Sequence, residues 1–308
     1  MKKTPIYQNA TGPVAIRMTN DYLFKALMQK NKKVLKALIC SLLHLEPVTI
    51  RKAEITNPII LGESISEKDI ILDVNVKLSV GKQVNLEMQV VNHLNWPERS
   101  TYYACRNFAS LNSGEDYQDV APLHHIGILD FTPLEAFPGF YSTYKLSEIH
   151  DHHLYTDKFS ISVLDLTHID LATEEDKSYN IDIWASLFRA QTWEDIKMLA
   201  EKYESIDEAA TTIYQLSSDE KIRLQCEARE KYERDQRSVQ HMLEKLQKEN
   251  AEQKKALAES QKEIEKLKRN IADLQSEQAK NKRVKENPRP SRKSGRGNFS
   301  TNTIVQRV

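Results

Sequence analysis

The chain has 308 residues with 44 basic and 44 acidic side chains, so its formal charge is zero. This length accommodates one or two domains with appendages. Three widely spaced cysteines without a Cys-x-x-Cys pair argue against a disulfide framework or a zinc ribbon and favour a reducing compartment. No run approaches the roughly 20 apolar residues of a transmembrane helix, and the first residues lack the apolar core of a signal peptide. We therefore expect a cytoplasmic protein with no membrane partner.

Two helices are predicted before the first strands. Asn20 is a good N-cap residue for the first helix. The second helix covers about 32–45 by its apolar periodicity, and Pro47 ends it. Residues 50–61 then predict an extended segment.

A hairpin is predicted from two runs in which apolar and polar residues alternate, 70–78 (IILDVNVKL) and 84–91 (VNLEMQVV). Side chains alternate across a strand, so each apolar set belongs to one buried face. A three-residue loop ending in Gly81 is a common hairpin connection. This loop would pair Val76 with Val84.

The same register would set Asp73 opposite Glu87, with Gln89 projecting from the same polar face. Like charges directly opposite each other destabilise a sheet. A divalent cation would offset the repulsion, because hard cations bind carboxylate oxygens. The alternative is a solvated sheet face on which the charges need no partner.

The second half of the core is predicted to be mixed. Asn95 is expected to cap a helix that runs to about Leu111, since Pro97 is tolerated in a first turn. Residues 125–131 and 159–166 predict strands, and 173–235 predict helices. The expected core residues of the helical region are Trp184, Leu187, Phe188 and Trp193.

The last predicted ordered segment is a coiled coil. Apolar or uncharged residues recur in alternating steps of three and four over more than five heptads, with Ile264 and Ile271 at position a and Leu267 and Leu274 at position d. β-Branched residues at a with Leu at d favour a parallel two-stranded coil, and hence a homodimer. A single solvated helix is the alternative. The seam consists of Leu243, Leu246, Asn250, Gln253, Leu257, Ser260, Ile264, Leu267, Ile271, Leu274, Gln278 and Asn281.

The C-terminal tail is basic. Residues 280–308 hold nine Lys and Arg against one acidic residue, in a composition that predicts disorder. Such a tail either binds nucleic acid nonspecifically or only solubilises the chain.

The order of the motifs resembles the recombination-promoting nuclease family, also called the PD-(D/E)xK family transposases. The matching pieces are NDYLFKALM (20–28), ILDVNV (71–76), NLEMQV (85–90), RSTYYACR (99–106) and GEDY (114–117), followed by the HIGILDF strand. The resemblance covers roughly residues 18–200. It implies an α/β fold with a restriction-endonuclease-like PD-(D/E)xK core, a mixed sheet flanked by helices. A helical region and the coiled coil would follow.

The resulting domain prediction has five parts. They are a flexible N-terminus (1–17), the nuclease-like core (18–170), a helical extension (171–235), the coiled coil (236–282) and the disordered basic tail (283–308).

The resemblance implies a metal-dependent DNA endonuclease that hydrolyses phosphodiester bonds, linked to recombination, mobile elements or defence. Asp73, Glu87 and the carbonyl of Met88 would bind Mg²⁺, for which Mn²⁺ or Ca²⁺ could substitute. Gln89 would take the place of the lysine of the wider superfamily. It could orient the attacking water, but it carries no positive charge and could not neutralise charge as lysine does. The alternative is an inactive nuclease fold that serves as a coiled-coil module for binding DNA or other partners.

Five further residues are candidates for this site. Asp21 corresponds to the acidic residue of the family's first helix, or it stabilises the helix N-terminus. Lys25 faces phosphate or is solvated. Arg99, Tyr103 and Arg106 fall near one helical face and are candidates for phosphate contact, with packing and surface roles as the alternative. The His150–His153 segment is instead interpreted as a solvated loop.

Overall fold

The computed structural model describes residues 5–59, 61, 73–109, 111 and 114–286. The strand residues predicted at 70–72 and the tail from 287 to 308 lie outside the described residues. The chain divides into two compact units, Met1–His241 and Met242–Val308.

A six-stranded mixed sheet forms the centre of the first unit, in the order β1-β2-β3-β4-β6-β5. The β3–β4 and β4–β6 pairs are parallel, and the other pairs are antiparallel. The strands are β1 Ala53–Ile55, β2 Val74–Leu78, β3 Gln83–Gln89, β4 Leu123–Leu129, β5 Tyr141–Lys145 and β6 Phe159–Asp165.

Eight α-helices accompany this sheet in the described part of the chain. Their bounds are α1 Asp21–Lys30, α2 Lys32–Leu42, α3 Trp96–Phe108, α4 Glu174–Ser178, α5 Ile181–Arg189, α6 Trp193–Ala200, α7 Glu204–Ser217 and α8 Glu220–Glu286. The predicted mixed sheet flanked by helices is thus confirmed, together with a long C-terminal helix.

The hairpin has the predicted register. Val76 pairs with Val84 and Val74 with Leu86, and Gly81 at the end of the loop has a φ of 78°. The described part of β2 begins at Val74, so Asp73 lies just before the strand.

The main apolar core covers one face of the sheet. Val74, Val76, Val84, Leu86 and Met88 are all buried there and belong to one cluster with α1, α2, α5 and α7. This burial follows from the period-two pattern of the hairpin. The predicted core residues of the helical region, Trp184, Leu187, Phe188 and Trp193, are buried in the same cluster.

Helix α3 covers the opposite face of the sheet, where Trp96 packs on Gly127. A Cβ at Gly127 would lie 2.2 Å from Cζ2 of Trp96, so glycine is what permits this close approach. The alternative of a solvated sheet face is therefore wrong for this part of the sheet, since Asn85 and Glu87 are 0% and 3% exposed.

One predicted cap hydrogen bond and one predicted helix end are wrong. Asn95 precedes α3 but makes no side-chain cap hydrogen bond to its described residues, because its φ of −137° and ψ of 21° depart from the extended cap conformation. Helix α2 ends at Leu42 rather than at about Leu45. His44 has a φ of 52°, and the Leu45 amide donates to the Cys40 carbonyl over 2.8 Å, which closes the helix as in a Schellman motif.

Residues 5–17, the described part of the predicted flexible segment 1–17, are not a free arm. Tyr7 and Ile16 are buried in the main core. The Tyr7 hydroxyl donates to Asp207, and Val14 donates its amide to the Gln191 carbonyl over 2.9 Å. Apolar side chains in this stretch thus hold it against the helical region.

The helical region is likewise part of the first unit rather than an appendage, since α7 packs against α1 and α2. Helix α8 begins at Glu220, sixteen residues before the predicted coiled coil, and Ile222 and Cys226 on its first turns are buried. In the second unit, the leucines and isoleucines of the seam are about half exposed in the single chain. The coiled coil stays a prediction. Among the described residues, no helix is both long and apolar enough to cross a membrane.

Because Trp96 packs so closely on Gly127, a single methyl group added at Gly127 should destabilise the fold. Gly127→Ala should lower the free energy of unfolding by about 1–3 kcal/mol, as overpacking does in a rigid core. Urea denaturation measures this loss. Gly139→Ala is the matched control, because its Cβ would meet the movable Oγ of Ser142 at 2.9 Å. Equal stability of the two variants would contradict the packing account.

Candidate active site

Glu87 is the central carboxylate of the candidate site. It lies on β3 at 3% exposure, and the Nε of Arg99 donates to its Oε1 over 2.9 Å. Burial raises the pKa of the Glu87 carboxyl, and the Asp73 and Asp21 charges raise it further, whereas Arg99 opposes the shift. A buried carboxylate needs a cation nearby, and Arg99 provides one.

Arg99 reaches Glu87 because of the way α3 is anchored. Trp96, three residues earlier, packs on Gly127, the residue beside Glu87 on the neighbouring strand. The Arg99 guanidinium also lies over the Tyr103 ring, 5.4 Å from its centroid. Such a contact stabilises the cation on its aromatic neighbour. Arg106, seven residues after Arg99 in the sequence, is exposed.

Asp73 lies in a cluster of asparagines. Its Oδ1 accepts from Asn57 over 3.0 Å, and its Oδ2 accepts from Asn75 over 3.1 Å and from Asn85 over 2.6 Å. Asp73 is not among the described residues that line the pocket around Glu87. Two carboxylates repel each other, and each has its own polar partners in this structure. The amides stabilise Asp73, and Arg99 stabilises Glu87.

The pocket beside Glu87 brings several of the predicted residues together. Asp21, Met88 and Gln89 line it together with Glu87 and Arg99. The side-chain amide of Gln89 donates to the Val91 carbonyl over 2.8 Å. Its Oε1 is buried and has no hydrogen-bond partner among the described residues. This oxygen is an acceptor available to water or to a metal-bound ligand.

Asp21 does more than stabilise the start of its helix. Arg229 of α8 binds it through two hydrogen bonds, one of them from Nε to Oδ1 over 2.9 Å. The contact joins residues that are 208 positions apart in the sequence. Asp21 is therefore a pocket residue held by a guanidinium, whereas Asn20 is the N-cap of α1, accepting from the Leu23 amide over 3.1 Å.

Lys25 is neither solvated nor at an open surface, which corrects both alternatives for its environment. The side chain is 3% exposed, and its ammonium donates to the backbone carbonyl of Asp73 over 2.8 Å. Lys25 thus fixes the backbone at the start of β2.

The loop cluster at Glu148, Asp151 and His153 has carboxylate and imidazole atoms close enough to bind an ion. It is exposed, and its contacts close the loop itself. Glu148 accepts from the amides of His150 and Asp151, and Asp151 accepts from the His153 amide over 3.1 Å. The expectation of a solvated loop fits these contacts, and the family motifs lie elsewhere.

Several residues of the site carried no sequence signal that we recognised, among them His125 of β4 and three residues of α8. His125 is fully buried, stacks on Trp96, and has its Nε2 3.9 Å from Oε2 of Glu87. Its ring nitrogens have no partner in the described residues, and burial, followed by the charge of Arg99, lowers its pKa to about 4. Arg229, Tyr232 and Glu233 come from α8. A motif search cannot find them because the fold alone brings α8 to the pocket.

A family model confirms the expected relationship. The model described as PD-(D/E)XK nuclease family transposase matches residues 18–243, and the chain belongs to this family. The matched region includes the whole sheet, the helices α1–α7 and the first part of α8. No curated protein and no solved structure gives a significant match to the chain.

Glu233 predicts a pH dependence of stability. Burial, and then the charge of Asp21, raises its pKa to about 7 from a usual value of 4.5. Between pH 4.5 and about 7, the folded chain thus keeps a proton on Glu233 that the unfolded chain has released. The stability linked to Glu233 is complete below the lower pKa and is lost as pH rises through about 7. In EDTA, Glu233→Gln should therefore gain stability over wild type between pH 5 and 8.

Thermal unfolding across this pH range measures the effect. Glu252→Gln is the control, because Glu252 is exposed on the same helix. Parallel stability curves for wild type and Glu233→Gln would contradict the prediction.

Proposed function

We propose that the chain is a DNA endonuclease that hydrolyses phosphodiester bonds with the help of a divalent cation, in recombination, in mobile-element transfer or in defence. The observation that carries this proposal is the buried Glu87 beside Asp21 and Gln89, in a chain of a nuclease family. Buried carboxylates with a perturbed pKa at a pocket are typical of catalytic and ion-binding sites.

The donor set suits Mg²⁺, with Mn²⁺ or Ca²⁺ as substitutes. Carboxylate and carbonyl oxygens are the ligands that these ions take, and the Glu87 carboxyl is compensated by a guanidinium that a cation could replace. Asp73, Glu87 and the Met88 carbonyl would hold the ion. The ion would polarise the scissile phosphate and lower the pKa of bound water.

The protein side chains have complementary tasks. The Gln89 amide is fixed through Val91, so its Oε1 is oriented to accept a hydrogen bond from the attacking water. Arg99 favours the ionised form of the Glu87 carboxyl and, once a bound cation compensates that carboxylate instead, contacts a phosphate oxygen. Tyr103 orients Arg99 from the side, and Arg106 contacts the DNA backbone further along α3.

Cleavage of supercoiled plasmid tests this function. Wild type should nick or linearise plasmid in Mg²⁺ and not in EDTA. Glu87→Gln and Asp73→Ala should each lower the rate by about 10²-fold or more, as loss of a group that stabilises the transition state does. Glu54→Gln is the matched control, because Glu54 is an exposed carboxylate on β1 that pairs with Lys52.

Calorimetric titration with Mg²⁺ separates the two functional hypotheses. An endonuclease should bind the ion in wild type and in Glu54→Gln, but not in Glu87→Gln. A wild-type chain that binds plasmid, gives no heat with Mg²⁺ or Mn²⁺ and leaves the DNA intact would contradict the proposal. That result would support the binding-module alternative.

We further propose that the active form is a homodimer, held by a parallel coiled coil along α8. The support is the exposed apolar seam, in which Ile264 and Leu267 are 51% and 55% exposed in the single chain. A second copy would cover such a stripe. Two active sites would then serve the two DNA strands.

Charges placed on the seam test the dimer. Ile264→Asp combined with Ile271→Asp should convert a dimer to a monomer in analytical ultracentrifugation. The control combines Ala258→Asp with Ala272→Asp, which adds the same charge at position b, away from the seam. A wild-type monomer, or a dimer that survives the seam variant, would contradict the coiled-coil contact.

A further inference from the structure

The positive charge of the active site poses a problem that the motif residues leave open. Gln89 occupies the position of the superfamily lysine and is neutral. Hydrolysis of a phosphodiester builds negative charge on the phosphate oxygens, and cations positioned there stabilise it. Arg99 pairs with the buried Glu87 and is proposed above to contact a phosphate oxygen once a cation replaces it there. A second cationic side chain at the pocket would add to the positive charge that a neutral Gln89 does not supply.

Arg229 is the other guanidinium in the described lining of the pocket. Its side chain is 16% exposed and pairs with the Asp21 carboxylate, which is 10% exposed. His93 also lines the pocket, but burial lowers its pKa, so the ring is biased towards the neutral form. Arg229 therefore brings a permanent positive charge to the pocket from outside the sequence motifs.

The fold fixes Arg229 at this place through the backbone of α8. The Asn20 side-chain amide donates to the Cys226 carbonyl over 3.0 Å, and the same side chain caps α1 through its oxygen. Cys226 is fully buried. One asparagine thus sets both the start of α1, which carries Asp21, and the register of α8, which carries Arg229.

The surroundings of the guanidinium also restrict its orientation. Its central carbon lies 5.2 Å from the centroid of the Tyr232 ring, and Asp21 receives two of its N–H groups. A guanidinium has five N–H donors in a planar fork, so a contact with a carboxylate is compatible with a second anion. The segment also lies inside the family match, which extends to residue 243.

We propose that Arg229 is a catalytic residue that binds a non-bridging oxygen of the scissile phosphate and supplies, from α8, the positive charge that Gln89 lacks. Asp21 is then its positioning residue. This inference rests on the proposed nuclease function and adds a residue to that site. It also explains why the carboxylate on the first helix is paired with a guanidinium.

Cleavage kinetics test the catalytic part. Arg229→Gln should lower the cleavage rate by about 10²–10³-fold, as removal of one transition-state donor does. Arg229→Lys should recover part of the rate, because it keeps the charge but loses the planar fork. Arg223→Gln is the matched control, since Arg223 is an exposed arginine of the same helix that pairs with Glu227. Its rate should equal that of wild type.

DNA binding in EDTA tests the phosphate contact without any turnover. Arg229→Gln should weaken the affinity for a short duplex and lower the slope of log affinity against log salt by about one unit. Arg223→Gln should leave the slope unchanged. Thermal unfolding of both variants identifies loss of fold, and Arg229→Lys, which retains the charge, should retain the wild-type slope.

The outcomes distinguish this inference from the proposed function. Equal salt slopes for folded Arg229→Gln and Arg223→Gln would overturn the role of Arg229, whether or not wild type cleaves DNA. A cleavage rate that rises in Arg229→Gln would also overturn it, because the pair with Asp21 would then inhibit the site. A wild-type chain without metal-dependent cleavage would overturn the nuclease proposal, and with it the catalytic part of the inference.

Discussion

Burial of the Glu87 carboxylate is the constraint on which the rest of the site depends. A carboxylate removed from water is stable only with a cation and hydrogen bonds close by. Glu87 receives both from Arg99 at 2.9 Å, and Arg99 can reach it because Trp96 of the same helix packs on Gly127. The packing of Trp96 on Gly127 therefore positions the cation that compensates Glu87.

The same arrangement recurs on the other side of the pocket. Asp21 is paired with Arg229, and Asn20 joins the two helices that carry them. Glu87 and Asp21 thus each pair with a guanidinium of a helix that docks through apolar contacts. The partners in such pairs can be exchanged for ligands. A bound cation can replace the guanidinium beside a carboxylate, and a bound phosphate can replace the carboxylate beside a guanidinium. This exchange is the physical basis of the proposed nuclease site.

The sequence predicted those parts of the fold in which the local pattern and the tertiary structure agree. The hairpin register follows from the alternation of apolar residues and from Gly81, and the start of α1 follows from Asn20. Strand β5 was missed because YSTYK has no buried period, and three of its five residues are exposed. Asn95 lies at the predicted N-cap position of α3, but its backbone does not adopt the extended conformation in which the side chain would cap the helix.

The sequence predicted candidate ligand residues for the site, but it did not predict which side chains contact them. Glu87, Met88 and Gln89 are consecutive and belong to a recognisable motif. The amides around Asp73 and the guanidinium on Asp21 come from distant segments, and no local periodicity reports such contacts. A solvated polar sheet face was the alternative to a metal site, but α3 covers this face. A strand pattern cannot show what packs on the outer face of a sheet.

The central claim is that Asp73 and Glu87, each with its own partners in the described structure, form one divalent-cation site. A crystal structure with Mn²⁺ tests it most directly, because the anomalous signal of manganese identifies the ion. The account predicts a peak in contact with carboxylate oxygens of both Asp73 and Glu87, and its loss in Glu87→Gln. The claim would be contradicted by crystals, at a Mn²⁺ concentration that saturates the protein in solution, in which the ion lies elsewhere and Arg99 still pairs with Glu87.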